Sequence, residues 1–297
     1  MPNLATAVST AIVCGSLVGL PGVWTSVQAQ DVGSPALGEA TVLLAGQSNA
    51  SQLLDVPYPT APLPNTFMLS GGQWVPPVNN IATLANELIT KTGRRAIYVV
   101  PAAVGGSTLV SEFIDPNTGI SRWWFNRSDP NAPLQKLKAM LTPDMNVMVA
   151  WWMQGETEAT NGAVTETYQT SLVEIHRAIA AAAGKTPDKL PFLVSPLGPA
   201  GGTPAQAPLA FARNVLAAQY GVVKFPGMIV GPEWWDLPPD ITGQHLTSAG
   251  YATLAIRVAD AMAPIIGKAS AAPIPSGCST GATMQTAGRG KPGRDCP

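Results

Sequence analysis

Thr41-Val42-Leu43-Leu44-Ala45 is an almost unbroken apolar run, and it ends on Gly46-Gln47-Ser48-Asn49-Ala50. A short apolar run closed by a turn signal reads as a strand covered on both faces, as the strands of parallel sheets are. Glycine at the strand exit lets the backbone turn sharply and project the following polar side chains. Ser48 is therefore a candidate nucleophile. The competing reading is an ordinary polar turn, with Ser and Asn present for their turn propensity.

Working outward, five more segments read as strands: Thr66–Ser70, Ala96–Val100, Asn146–Trp152, Pro191–Ser195 and Met228–Gly231. Helical spacing fills the intervals. Ile81, Leu84, Leu88 and Ile89 form one stripe, closed by Gly93. Tyr168, Leu172, Ile175 and Ile179 form a second, closed by Gly184. Leu209, Val215, Leu216 and Tyr220 suggest a third, and Leu254, Ile256, Val258 and Met262 a fourth. Alternating strands and helices predict an α/β fold with a parallel sheet covered on both faces. In such sheets the active site lies beyond the carboxyl ends of the strands.

Three more strand or helix ends carry chemistry. After Ala96–Val100 comes Pro101-Ala102-Ala103-Val104-Gly105-Gly106-Ser107. Paired glycines let a backbone N–H approach a ligand, as one half of an oxyanion hole does, or simply make a flexible turn. After Asn146–Trp152 comes Met153-Gln154-Gly155-Glu156-Thr157-Glu158. Gln154 could turn an amide N–H toward an oxyanion. Glu156 sets a carboxylate past the sheet edge, unless both glutamates are solvated charges at a helix start. Gln244-His245-Leu246-Thr247-Ser248 precedes the last helix, with Thr247 or Ser248 as its cap. The chain has only 2 histidines. His176 flanks an apolar stripe and reads as a packing residue, which leaves His245 as the base of any Ser–His mechanism.

The 297 residues carry a formal net charge of −1, 12% charged and 46% hydrophobic residues. No basic run appears, so nucleic acid is not an expected partner. No uninterrupted apolar run reaches the roughly 18 residues of a membrane span, so stable insertion is not expected. HExxH is absent, the two histidines lie far apart, and no metal site is expected. Gly184-Lys185-Thr186 lacks the first glycine of a P-loop, since Ile179 stands there, and no GxGxxG follows a strand. No cofactor is expected.

The ends of the chain differ from its middle. Residues 1–29 contain no charged side chain, hold an apolar stretch from Ala11 to Leu20 and end on Val27-Gln28-Ala29. This resembles a signal peptide without its positive start and implies a secreted or periplasmic, cell-envelope location. Residues 30–267 are the expected catalytic domain. Residues 268–297 are rich in Gly, Ala, Ser, Thr and Pro and read as an extended tail. In an oxidising compartment Cys278 and Cys296 could close a loop within it.

GQSN after the first strand, VGGS after Ala96–Val100, W-x-QGE after Asn146–Trp152 and HLTxxG before the last helix occur in that order. Together they resemble the SGNH (GDSL-like) hydrolases, and most nearly the sialate O-acetylesterase and acetyl-xylan esterase branch. Gly72-Gln73-Trp74, Arg213 and Gln219 agree with that branch. The resemblance spans roughly Ala40 to Ile266. It implies a flavodoxin-like three-layer α/β/α sandwich and metal-free ester hydrolysis. By resemblance Ser48 is the nucleophile and His245 the base. The N–H groups of Ser48 and Gly106 and the Gln154 side chain would be the oxyanion donors, with Gln47, Asn49 and Gly105 in support.

One departure stands out. The family often places Asp three residues before the histidine, and here that position is Thr242. A neutral threonine cannot stabilise an imidazolium. Glu156 from the QGE loop is the favoured third member, Asp240 the alternative, and an unassisted dyad the remaining one. The resemblance points to an O-acetylated carbohydrate as substrate. Trp123-Trp124 and Trp234-Trp235 lie in loop-like stretches where they could stack on sugar rings, or else fill the core. A broad SGNH lipase or thioesterase, and a non-catalytic glycan-binding module on the same fold, are the other readings.

Overall fold

A computed structural model describes residues 38–198 and 209–267. The expected signal peptide and the tail with Cys278 and Cys296 lie outside them. In chain order the elements are β1 (Glu39–Gly46), α1 (Ser48–Asp55), β2 (Thr66–Ser70), β3 (Gln73–Val75), α2 (Asn79–Thr92), β4 (Ala96–Pro101), α3 (Pro133–Met140), β5 (Val147–Met153), α4 (Glu156–Thr160), α5 (Thr165–Ala182), β6 (Phe192–Ser195), α6 (Leu209–Tyr220), β7 (Met228–Val230) and α7 (Ser248–Ile266).

The sheet runs β3-β2-β4-β1-β5-β6-β7. Every pairing is parallel except β2 with β3. Counting β1, β4, β5, β6 and β7 alone, the order is the 2-1-3-4-5 of flavodoxin-like folds. The β2–β3 hairpin extends that sheet at one edge. β3 has no counterpart among the segments read as strands, because three residues are too few to show a period. The hairpin geometry is still written locally: Gly71 and Gly72 take φ of 58° and 80°, as a tight two-residue turn requires.

Strand alternation divides the core into two halves. Leu43, Ala45, Val100, Trp152 and Val194 face one layer, with side chains of α3, α5 and α6. Val42, Leu44, Val99, Trp151 and Leu193 face the other, with α1, α2 and α7. The neighbouring residues Trp151 and Trp152 thus serve opposite faces. Helix α7 is long and apolar enough to cross a bilayer by length and composition. Here Leu254, Val258 and Met262 are buried against β1, β5 and α2 instead. Ile256, expected on that stripe, is 38% exposed, because its position falls on the outer face of the helix. His176 is buried, stacked on Phe192 at 4.8 Å, with Nε2 2.8 Å from the Leu190 carbonyl.

β1 and β5 end side by side, Gly46 opposite Met153. Gly46 has φ of 126°, and a Cβ on it would lie 2.0 Å from the Met153 carbonyl oxygen. Only glycine allows this approach, which brings the Gln47 N–H to the same oxygen at 2.9 Å. Gly46→Ala should therefore destabilise the fold by at least about 1–3 kcal/mol, the usual cost of forcing extra atoms into a packed site. Urea unfolding of the variant beside wild type measures this, and an unchanged midpoint would show that the junction yields easily.

Candidate functional site at the ends of the central strands

Ser48 is the first residue of α1 and is half-buried. Its neighbour Asn49 is fully buried, and its side-chain amide makes three long-range hydrogen bonds. Asn49 Nδ2 donates to Glu156 Oε1 at 2.6 Å and to the Gln244 carbonyl at 3.2 Å. Its Oδ1 accepts the Tyr251 hydroxyl at 2.7 Å. One amide therefore joins the turn after β1, the turn after β5, the loop before α7 and α7 itself. Gln47 adds a second tie, since its Oε1 accepts the Thr157 hydroxyl at 3.3 Å.

The loops bearing Ser48, Glu156 and His245 are brought together in this way. Among the described residues Ser48 Oγ and the His245 ring share no hydrogen bond. Glu156 Oε1 is held by Asn49, while Oε2 is buried without a partner. Burial pushes the Glu156 carboxyl up from its ordinary range, and the Asn49 bond opposes the shift. Asp240 is committed elsewhere: Oδ1 accepts both the Thr242 N–H at 2.9 Å and the Thr242 hydroxyl at 2.6 Å. Those bonds hold its carboxyl below the usual value. The Asp240 N–H also donates to the His245 carbonyl at 2.7 Å, closing the turn that carries the histidine.

Gln154 is buried rather than open to the site. Its amide nitrogen donates to Glu158 Oε2, and at 3.4 Å to the Ser107 carbonyl. Only the second, long donation is weak enough for an oxyanion to capture. Tyr168 donates its hydroxyl to the Gln154 carbonyl at 2.7 Å and lies 2.9 Å from Oε1. Gln219 Nε2 reaches the same carbonyl at 2.8 Å, and Gln219 Oε1 accepts the Leu197 N–H at 2.7 Å. Gln219, read as a minor family feature, thus braces the turn after β5 from α6. Arg213 is exposed.

Glu158 corrects the solvated reading. It is buried, and Oε1 accepts the backbone N–H of Leu109 at 2.5 Å and of Val110 at 3.4 Å. The carboxylate joins the segment after Gly105-Gly106 to the QGE turn. No local pattern in the sequence marks Tyr168, Tyr251, Glu158, Asp115 or Arg122 for these roles. Tyr168 reads only as a residue of a helical stripe, and the partner of the Tyr251 hydroxyl, Asn49, lies 202 positions away. Arg122 donates to the Gly105 carbonyl and is held by Asp115, with Nε 3.1 Å from Oδ2. The tryptophans divide: Trp124 and Trp234 fill the core, Trp123 is half-buried, and Trp235 is 62% exposed.

Burial raises the Glu158 carboxyl to about 7, against 4.5 ordinarily. Between those values the unfolded chain binds fewer protons than the native one. This group's stabilisation is complete below pH 4.5 and is lost as pH rises toward 7. Glu158→Gln should flatten part of the resulting fall in stability, read as the urea midpoint at pH 5 and at pH 7.5. A variant whose midpoint falls as steeply as wild type would place the titration at another residue.

Residues 61–264 match a family described as "Carbohydrate esterase, sialic acid-specific acetylesterase". The match takes in the QGE turn and His245 and begins after Ser48. No curated protein matches the chain. A solved structure from Arabidopsis thaliana is similar over 76% of this chain and 98% of its own, with TM-score 0.57 and 17% identity. A carbohydrate acetylesterase from Xanthomonas citri is similar over 76% of this chain and 56% of its own, with TM-score 0.52 and 22% identity. At such identities the two structures establish the fold alone, while the matched segment, well over half of the chain, establishes the family. The chain belongs to this carbohydrate esterase family and is a carboxylic ester hydrolase.

Proposed function

We propose that the protein removes O-acetyl groups from carbohydrates by acyl transfer to Ser48. The observation that carries this reading is the Asn49 amide, which draws the Glu156 carboxylate and the Gln244 carbonyl onto one nitrogen beside Ser48. His245 follows Gln244 directly, so base, acid and hydroxyl belong to loops held at one point.

His245 takes the Ser48 proton as Oγ attacks the acetyl carbonyl. It then returns the proton to the leaving sugar hydroxyl, and water hydrolyses the acyl-enzyme by the same path reversed. Glu156 orients the imidazole and stabilises its cation. Its unpartnered Oε2 supports this role, and the engagement of Asp240 with Thr242 argues against the alternative acid. Catalytic hydrogen bonds often tighten only when substrate binds, which accommodates the unjoined Ser48 and His245. The oxyanion would rest on the N–H groups of Ser48 and Gly106. Neither has an acceptor among the described residues. Gln154 would add its loosely held hydrogen. The family description favours a short acetyl group on a sugar over a long acyl chain.

Acetate release from a panel of acetylated sugars tests the reading. Ser48→Ala should abolish release, and activity should drop steeply beyond acetyl and propionyl esters. Glu156→Gln should lower turnover by about 10²–10⁴-fold with the fold intact, as loss of an orienting acid does. Asp240→Asn should stay near wild type. A fully active Ser48→Ala would dismiss the mechanism, and an active Glu156→Gln would pass the orienting role to another group.

A further inference from the structure

We infer that Arg122, held by Asp115, is a positioning residue that locks the Gly105–Gly106 peptide so that the Gly106 N–H can face an oxyanion. The inference rests on the acyl-transfer reading above. Ser48 Cβ and Arg122 Nη1 lie 3.9 and 4.0 Å from the point a Gly105 Cβ would occupy, so nucleophile and guanidinium flank one glycine. Arg122 Nη1 donates to the Gly105 carbonyl. The described chain has no cis peptide bond. In a trans peptide the carbonyl and the next N–H point in opposite directions. Holding the Gly105 carbonyl toward the guanidinium therefore turns the Gly106 N–H away from it. That N–H has no acceptor among the described residues.

Such a lock is needed because the peptide lies between two glycines, with Gly106 at φ of 64°. Without side chains on either side, little opposes rotation of that peptide plane. A charged donor on the carbonyl opposes it directly and also polarises the peptide, which strengthens its N–H as a donor. The guanidinium is itself fixed. Asp115 Oδ2 accepts Nε at 3.1 Å and also Nη2, and Asp115 Oδ1 takes the Asn117 N–H at 2.9 Å. Asp115 is 5% exposed, and the guanidinium holds its carboxyl down at about 2. A lysine could supply charge but not this planar fork.

The test uses the full chain with 4-nitrophenyl acetate as substrate and methylboronic acid as a tetrahedral probe of Ser48. Arg122→Ala should lower kcat by about 10–10²-fold, below or near the loss of a whole oxyanion donor, with KM within about twofold. Methylboronic acid should bind more weakly by a similar factor. Guanidinium ion added at millimolar concentration should restore part of kcat. Arg122→Lys and Asp115→Asn should show smaller losses with the same split, and they carry the test if Arg122→Ala does not fold. Wild-type kcat in the folded variants, or a raised KM with kcat unchanged, would overturn the inference. Ser48→Ala assayed in parallel separates the two layers. If it is inactive while the Arg122 variants are unaffected, only the lock is lost, whereas an active Ser48→Ala removes the acyl-transfer reading itself.

Discussion

The amide of Asn49 has no water to turn to, so its bonds must be made inside the protein. A buried donor left unmade costs about 1–3 kcal/mol, and Asn49 avoids that cost through Glu156, Gln244 and Tyr251. These three partners lie on the QGE turn, the histidine loop and α7. The same bonds that satisfy the amide therefore fix where each loop can sit. Gly46 makes this possible by letting the end of β1 press against the carbonyl of Met153. A bulkier residue would hold the two strand ends apart and pull Asn49 away from Glu156.

Two buried carboxylates close together in sequence do different work. Glu158 has both oxygens engaged and ties the segment after the paired glycines to the QGE turn. Glu156 has one oxygen engaged and one buried and unpartnered. A fully bonded carboxylate braces structure, whereas one with a vacant oxygen can still act on a neighbour. Gln154 belongs with the brace, since Tyr168, Gln219 and Glu158 hold it from three sides. The site is stiffened from behind by polar groups, each of which has found a partner.

The aromatic residues show how little position along the chain says about exposure. Trp234 and Trp235 are adjacent, yet one is buried with its Nε1 on the Pro196 carbonyl and the other is exposed with its Nε1 on Glu233. The alternation that separates Trp151 from Trp152 can be read from a strand's period of two. In an irregular loop no such period exists, so only folding decides which ring turns inward.

The apolar runs and helical stripes determined the α/β class, six of the seven strands to within two residues, and the strand-end location of Ser48, Gly105, Gln154 and Glu156. They could do so because those features are local: backbone turns, caps and periodicity depend on residues a few positions apart. The order of the strands, the β2–β3 edge and the burial of Glu158 came only with the tertiary structure. So did the bond from Asn49 to Glu156, which spans 107 positions, and the one to Gln244, which spans 195. Hydrogen-bond partners at such separations leave no periodic trace in a single chain, because any polar side chain could satisfy them until packing selects one.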